Sequence, residues 1–272
     1  MAIARTYLFV PGDRPDRFDK AWSSRADEII VDLEDAVPAD RKAVARESIR
    51  TWLRPDRRVW VRCNAVDTPW FAEDLQLLHD EGLAGVFVPK AEHLPSELLR
   101  VAETRGIGLI PIIETAQGYE SIRSLASAAG VVRLAFGSLD FQVDLGIEGD
   151  DDALLYFRSE LVLASRLASL PSPIDGITPS IDDTERLRSD TLRARRLGLG
   201  AKLCIHPHQV PVIHEVFAPT SEERSWALRI LEVMNSSAGG AVSLDGKMVD
   251  RPVWLRALKI SEAPSATECQ RL

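Results

Sequence analysis

The chain has 272 residues, 45% of them hydrophobic and 27% charged, which supplies a packed core and excludes a disordered or low-complexity protein. A formal net charge of -8, with basic residues scattered among acids, excludes nucleic acid as a main partner. Cys63, Cys204 and Cys269 are widely spaced with no CxxC pair, against a disulfide framework or zinc knuckle.

The opening "MAIARTYLFVPG" lacks the apolar core of a secretory signal, and no run approaches the roughly 18 apolar residues of a membrane span. No membrane partner is expected, and the cytoplasm is the expected location. The first β-rich run is "TYLFVPG" from Thr6. The turn after it, "PGDRPDRF", puts Arg14 and Arg17 where a phosphate or carboxylate could bind; a solvated helix start explains them equally well. It is no GxGxxG, which argues against an open doubly wound sheet.

The next runs mostly follow every twenty to thirty residues, with one longer gap between Val131 and Ile174. "EIIVDLED" from Glu28 ends on Glu34 and Asp35, and "RVWVRCN" from Arg58 carries Arg62 and Asn64. "WFAEDLQLLHDEG" has helical apolar spacing and is read as closing at Gly82. "AGVFVPK" from Ala84 ends on Lys90, and "GLIPIIET" from Gly108 carries Glu114 near its end. A second helical stretch, "YESIRSLASAAG", is read as closing at Gly130. "VVRLAFG" from Val131 then leads to Asp140 and Asp144, just beyond a glycine. "IDGIT" from Ile174 carries Asp175, and "AKLCIHP" from Ala201 carries His206.

Eight such runs alternating with helices predict parallel strands covered on the outside, and eight is the number that closes a TIM (β/α)8 barrel. The barrel is assigned to residues 1–218. Residues 219–272 are assigned to a C-terminal helical extension with a helix from about Ser221 to Met234, followed by "AGGAVSLDGKMVDRPVWLRALKI" with its turn-like "LDGK". Its apolar, Trp-containing end is expected to pack against another surface.

Polar residues gather at the carboxyl ends of these strands, the rim that holds the active site in such barrels. Glu114 and Asp140 are read as ending strands five and six, 26 residues apart. Neighbouring strands lie about 4.8 Å apart, so two carboxylates at equal height could share one cation, and hard oxygen ligands suit Mg2+ better than zinc. The alternative is that Glu114 pairs with Arg62 or Lys90 while Asp140 caps a loop. Asp35 could reach the metal through water, orient Arg62, or cap a helix before "AVPADRK". Lys90 would neutralise an acid-rich pocket. His206, before a proline, reads more as a hydrogen-bonded scaffold residue than as a catalyst. Trp70 could flank the pocket mouth.

The blocks "YLFVPG", "DEIIVDLEDAV", "VRCNAVDTPW", "VFVPKAE", "IIETAQG", "LAFGSLDFQVDLG", "IDGITPSIDD", "AKLCIHPHQ" and "LDGKMVDRP" resemble, in order, those of the citrate lyase beta subunit family, with its citryl-, malyl- and citramalyl-CoA lyases. Ala201 departs from the family context, where a glycine is expected before Lys202. The resemblance implies a Mg2+-dependent barrel that makes or breaks a carbon–carbon bond beside an acyl-CoA thioester. It implies Glu114 and Asp140 as metal ligands and Arg62 as the grip on a substrate carboxylate. It also implies an acid/base dyad of Glu34 with Asp250 from another subunit, hence a homotrimer or homohexamer whose extension packs on a neighbouring subunit; a plain turn residue before Pro252 is the other reading of Asp250. Substrate-binding candidates are Arg62, Asp35, Lys90 and Arg14, with a CoA thioester or keto acid as partner. Two further readings stay open: a class II aldolase acting on free hydroxy-keto acids, and a non-catalytic subunit that binds an acyl-CoA or keto acid.

Overall fold

The short runs of β-branched and aromatic residues become strands because only a parallel sheet covered on both faces buries them completely. In the computed structural model, which describes residues 3–236 and 241–264, they form β1 (Thr6–Pro11), β2 (Glu28–Asp32), β3 (Val59–Arg62), β4 (Leu83–Val88), β5 (Gly108–Ile113), β6 (Ala135–Phe136), β7 (Ile174–Asp175) and β8 (Ala201–Cys204). Each pairs in parallel with the next, and β8 returns to β1, closing the barrel. The intervening helices are α1 (Phe18–Trp22), α2 (Lys42–Trp52), α3 (Phe71–Leu77), α4 (Ser96–Arg105), α5 (Ala116–Glu120), α6 (Ile122–Ser127), α7 (Ser138–Leu145), α8 (Leu155–Leu167) and α9 (Thr184–Leu197). This is the expected TIM barrel. The helices read as closing at Gly82 and Gly130 stop earlier, at Leu77 and Ser127, and those glycines lie in the turns into the next strands.

The interior is filled unevenly. Tyr7, Trp60 and Phe87, from β1, β3 and β4, pack edge to face with ring centroids 5.5 to 6.4 Å apart. β6 and β8 contribute smaller residues, Ala135 and Ala201, to the same core. Room for the Trp60 indole comes from Gly85 and Gly108, which face each other in the β4/β5 ladder. A Cβ on Gly85 would sit 2.0 Å from the Gly108 carbonyl oxygen and 2.4 Å from the indole ring. At the amino ends of the strands, buried Arg133 donates from Nε to Ser172 O and from Nη1 to Ala4 O, each at 2.7 Å. The run "VVRLAFG" therefore yields only a two-residue ladder, with Arg133 bracing neighbouring segments instead of extending the strand.

The chain divides into two units, Met1–Ile213 and His214–Leu272; α10 (Gln209–Phe217) runs through the division. The second unit contains α11 (Ser221–Ser236), a two-stranded antiparallel sheet of β9 (Val242–Leu244) and β10 (Lys247–Val249), and α12 (Arg251–Glu262). Its core joins Ala227, Ile230 and Met234 to Val249 and Ala257, with Trp226 and Trp254 packed against them. The extension is thus not wholly helical. The "LDGK" turn joins a hairpin, because Asp245 (φ 52) and Gly246 (φ 72) both take the left-handed conformation that matches strand twist in a two-residue loop. Cys269, Gly239 and Gly240 lie outside the described residues. Among the described residues no helix is long and apolar enough to cross a membrane.

The Gly85 contact yields a stability test. Gly85→Ala should lower the unfolding free energy by about 1 to 3 kcal/mol, the usual range for overpacking a filled interior. Urea denaturation measures it; an unchanged midpoint would mean that the β4/β5 backbone yields freely.

Candidate active site

Strand register builds the site. Asp32, the last residue of β2, is the ladder partner of Arg62, the last residue of β3. Acid and guanidinium therefore leave the barrel side by side, and they meet as a two-pronged ion pair. Nε donates to Oδ1 and Nη2 to Oδ2, both at 2.7 Å. Asp32 is fully buried, and its two oxygens also accept the backbone N–H of Glu34 (2.9 Å) and of Ala36 (3.2 Å). Burial pushes the Asp32 carboxyl up, but Arg62 and these backbone donors more than reverse it, so the group stays below the usual carboxylate range.

Glu34 follows on the loop beyond β2 and is buried. Its Oε1 accepts from the Lys90 ammonium. Its Oε2 lies 2.9 Å from Arg62 Nη1, close enough for an ion pair yet outside hydrogen-bond geometry, so this buried oxygen has no donor. Burial raises the Glu34 carboxyl above its ordinary range despite the two cations beside it. The Lys42 ammonium donates to the carbonyls of Leu33 (2.7 Å) and Glu34 (2.9 Å), fixing the loop from the opposite side. Trp70 stacks over that ammonium at 5.0 Å.

Lys90 stands two residues past β4 with φ 46, a left-handed conformation unusual for a side-chain-bearing residue. Its main-chain N–H donates to Glu114 Oε1 at 2.6 Å while its ammonium goes to Glu34. Glu114 immediately follows β5 and is buried. Its carboxyl is pushed up to about 8, first by burial and then by the charge of Glu34; Arg62 opposes the shift and Asp140 adds to it. Of the two pairings expected as alternatives for Glu114, neither forms. Arg62 is engaged by Asp32, and Lys90 reaches Glu114 only through its backbone.

Asp140 does not end a strand. β6 stops at Phe136, and Asp140 sits in the first turn of α7, because Gly137 turns the chain directly from strand into helix. The displacement along the chain still leaves it in the same cavity as Glu114. Arg62, Asp35, Phe9 and Leu203 also line that cavity, of about 370 Å³. The Asp140 carboxylate has no hydrogen bond or ion pair among the described residues, and neither does Glu114 Oε2. The space beside that oxygen exists because residue 137 is glycine: a Cβ there would lie 2.2 Å from it.

Two hard carboxylate donors with uncommitted oxygens in one cavity fit a magnesium-like cation. Among the described residues no group of three or more His, Cys, Asp or Glu is arranged as a metal cage. A cation between Glu114 and Asp140 would accordingly draw its other ligands from water or substrate, the habit of Mg2+.

The other expected residues are distributed as follows. Asp35 is largely exposed, 3.8 Å from Arg62 and 3.9 Å from Lys90. It caps no helix, since the helical turn beyond it starts at Ala39 with Pro38 in the cap position. Arg14 is exposed and folds back on Asp16 through a fork of 3.0 and 2.9 Å, apart from the residues that line the cavity. Its neighbours Arg17 and Lys20 instead line a separate recess of about 330 Å³ with His206. His206 Nδ1 accepts from the His208 N–H at 3.3 Å, and burial and His208 hold the imidazole below its usual range. Asp175 is closed off as scaffold, bonded to Arg158 at 2.8 Å and to Lys202 at 3.4 Å. Asp144 accepts from the backbone of Ala116 at 2.7 Å. Asp250 belongs to the second unit, where it is the N-cap of α12 and accepts from Val253 at 3.3 Å. The sequence reading missed Asp32 and Gly137 as site residues. The available signal was an acid and an arginine closing consecutive strands, and a glycine between strand six and Asp140.

The HpcH/HpaI aldolase/citrate lyase family profile matches residues 5–207. The citrate lyase subunit beta-like protein of Deinococcus radiodurans is 37% identical, with 94% of this chain and 95% of the relative covered. An L-malyl-CoA/beta-methylmalyl-CoA lyase of Cereibacter sphaeroides is 30% identical, with 90% of each chain covered. The crystal structure of CitE from Mycobacterium tuberculosis in complex with magnesium, acetoacetate and coenzyme A superposes with a TM-score of 0.85 at 33% identity, covering 95% of this chain and 97% of that one. With its closed barrel and its paired carboxylates beside a held arginine, the chain belongs to the HpcH/HpaI aldolase/citrate lyase family.

Proposed function

We propose that the protein is a Mg2+-dependent carbon–carbon lyase that splits a short 3-hydroxyacyl-CoA thioester of the citryl-CoA or malyl-CoA type into an acyl-CoA and a 2-keto acid. One observation carries the reading: Arg62 opens onto the cavity that contains two acids with free oxygens, Glu114 and Asp140. Asp32 occupies only the Nε/Nη2 edge of the guanidinium. Three N–H bonds remain on Nη1 and Nη2, enough for a two-pronged grip on a carboxylate, and Nη1 is meanwhile ion-paired with Glu34 Oε2 at 2.9 Å, which sets the proposed base beside the bound group. Glu114 and Asp140 would hold the magnesium. When bound, that ion supplies Lewis-acid polarisation of substrate oxygens.

The remaining work falls to the chain. Cleavage needs the hydroxyl proton removed as the carbon–carbon bond breaks, its electron pair passing to the thioester fragment as an enolate, which is then protonated. Glu34 Oε2, buried without a donor and with a raised affinity for protons, is the base in this scheme. Lys90 fixes the other oxygen of Glu34. The sequence-based role of Asp250, a second acid delivered by a neighbouring copy in a homotrimer or homohexamer, is carried forward as part of the proposal. Arg17 and Lys20, in the recess beside His206, offer cationic groups to CoA phosphates and favour a thioester over a free acid.

Product analysis by mass spectrometry on a panel of CoA thioesters and free hydroxy-keto acids tests the reaction. Acyl-CoA and keto acid formed only with Mg2+ are the expected outcome. Turnover of free acids alone would replace the proposal by the aldolase reading, and release of free CoA without carbon–carbon cleavage would replace it by hydrolysis. Glu114→Gln and Asp140→Asn should each lower kcat/KM by at least a hundredfold and abolish Mg2+-dependent pyruvate binding in calorimetry.

Glu114 also makes metal binding pH-dependent. With its carboxyl near 8, the metal-free chain holds a proton there at pH 7 that a dication must displace. Titration with Mg2+ at pH 7 in buffers of different ionisation enthalpy should reveal close to one proton released per ion, falling toward zero above pH 9, with affinity rising through pH 8. The sign for folding is opposite. A carboxyl raised from the ordinary 4.5 to about 8 contributes stability below pH 4.5 that is lost as the pH climbs through 8. A metal affinity independent of pH between 6 and 9 would remove Glu114 as a protonated ligand.

A further inference from the structure

We infer that Asp32 is a positioning residue that sets the substrate-gripping arginine and the proposed base in one rigid frame. The inference rests on the lyase reading for the task of Arg62, but its geometry is independent of that reading. Asp32 is fully buried, and four donors converge on its two oxygens. Each oxygen takes one guanidinium nitrogen and one backbone N–H. Oδ1 joins Arg62 Nε to the N–H of Glu34, and Oδ2 joins Arg62 Nη2 to the N–H of Ala36.

The planar fork fixes the tilt and the turn of the guanidinium together, which a single contact cannot do. The Phe9 ring lies 4.8 Å from the guanidinium carbon and closes a further side. Arg62 thereby presents its Nη1/Nη2 edge at a set angle, while the same carboxylate anchors the loop that carries Glu34. Asp32 borders the cavity but is fully buried with both oxygens engaged, so it acts through Arg62 and the Glu34 loop. A buried carboxylate in a purely structural role would require only a counter-charge. This one joins two groups with different chemical tasks.

The test combines an observation on the unaltered chain with a binding cycle. The 15N relaxation of the Arg62 Nε–H, assigned from its loss in Arg62→Lys, should give an order parameter near that of rigid backbone, about 0.85; a value below about 0.6 overturns the inference without any variant at Asp32. Pyruvate titrated calorimetrically with saturating Mg2+ should bind Asp32→Asn at least tenfold more weakly than the unaltered chain. The same substitution in an Arg62→Ala background should add less than a twofold loss. Mg2+ affinity without pyruvate should change less than twofold, a split that general loosening of the fold would not produce. Unchanged pyruvate affinity in Asp32→Asn, or an equal loss in both backgrounds, overturns the inference while the lyase reading stands. Absence of pyruvate binding in the unaltered chain overturns the task assigned to Arg62 and the lyase reading together, and the two failures are told apart by that control. If Asp32→Asn does not fold, the order parameter decides.

Discussion

Closing eight parallel strands into a ring forces all their carboxyl ends into one small circle, and any charge placed there must find its opposite within that circle or leave the interior. The barrel answers this in two ways. Around Asp175, the Arg158 guanidinium and the Lys202 ammonium neutralise a fully buried carboxylate, and Lys202 also donates to the Gly176 carbonyl at 2.7 Å. Burial opposes that carboxylate, but the two cations hold it below the usual range. On the other side, Asp32 and Arg62 neutralise each other equally well, yet the acids beyond them do not reach balance. Glu34 and Glu114 are both raised by burial, and each keeps an oxygen without a hydrogen-bond donor among the described residues. The first cluster is saturated and serves the scaffold. The second retains unmet demand for protons or cations, which is the physical mark of a reactive site.

Much of the barrel was legible because each strand is a continuous apolar run, and a run buried on both faces has few other destinations. Charged residues near the ends of these runs also marked the rim, with Arg62 closing β3 and Glu114 directly following β5. Legibility ended where local sequence and global register part company. Asp140 reads as a strand end because "LAFG" is oily up to the glycine, but the ladder stops at Phe136 and the chain turns into α7 before the acid. Asp32 was passed over because a single acid terminating "EIIVD" looks like any strand cap. Its importance comes from the register with Arg62, a pairing that no local pattern encodes. Asp35, adjacent to Glu34 and equally acidic, looked like a helix cap, and only the later start of the helical turn after Pro38 removes that role. The β9/β10 hairpin was visible as "LDGK" but lacks long alternating flanks, since three-residue strands carry little periodicity.

Lys90 sets durability against usefulness. Its backbone sits at φ 46, where a side chain costs of the order of 1 kcal/mol relative to glycine. A glycine there would relieve this cost and still present the N–H that Glu114 accepts, but it would release the ammonium from Glu34. One strained residue thus ties two neighbouring acids together, the first through its ammonium and the second through its main chain, and relieving the strain would uncouple them.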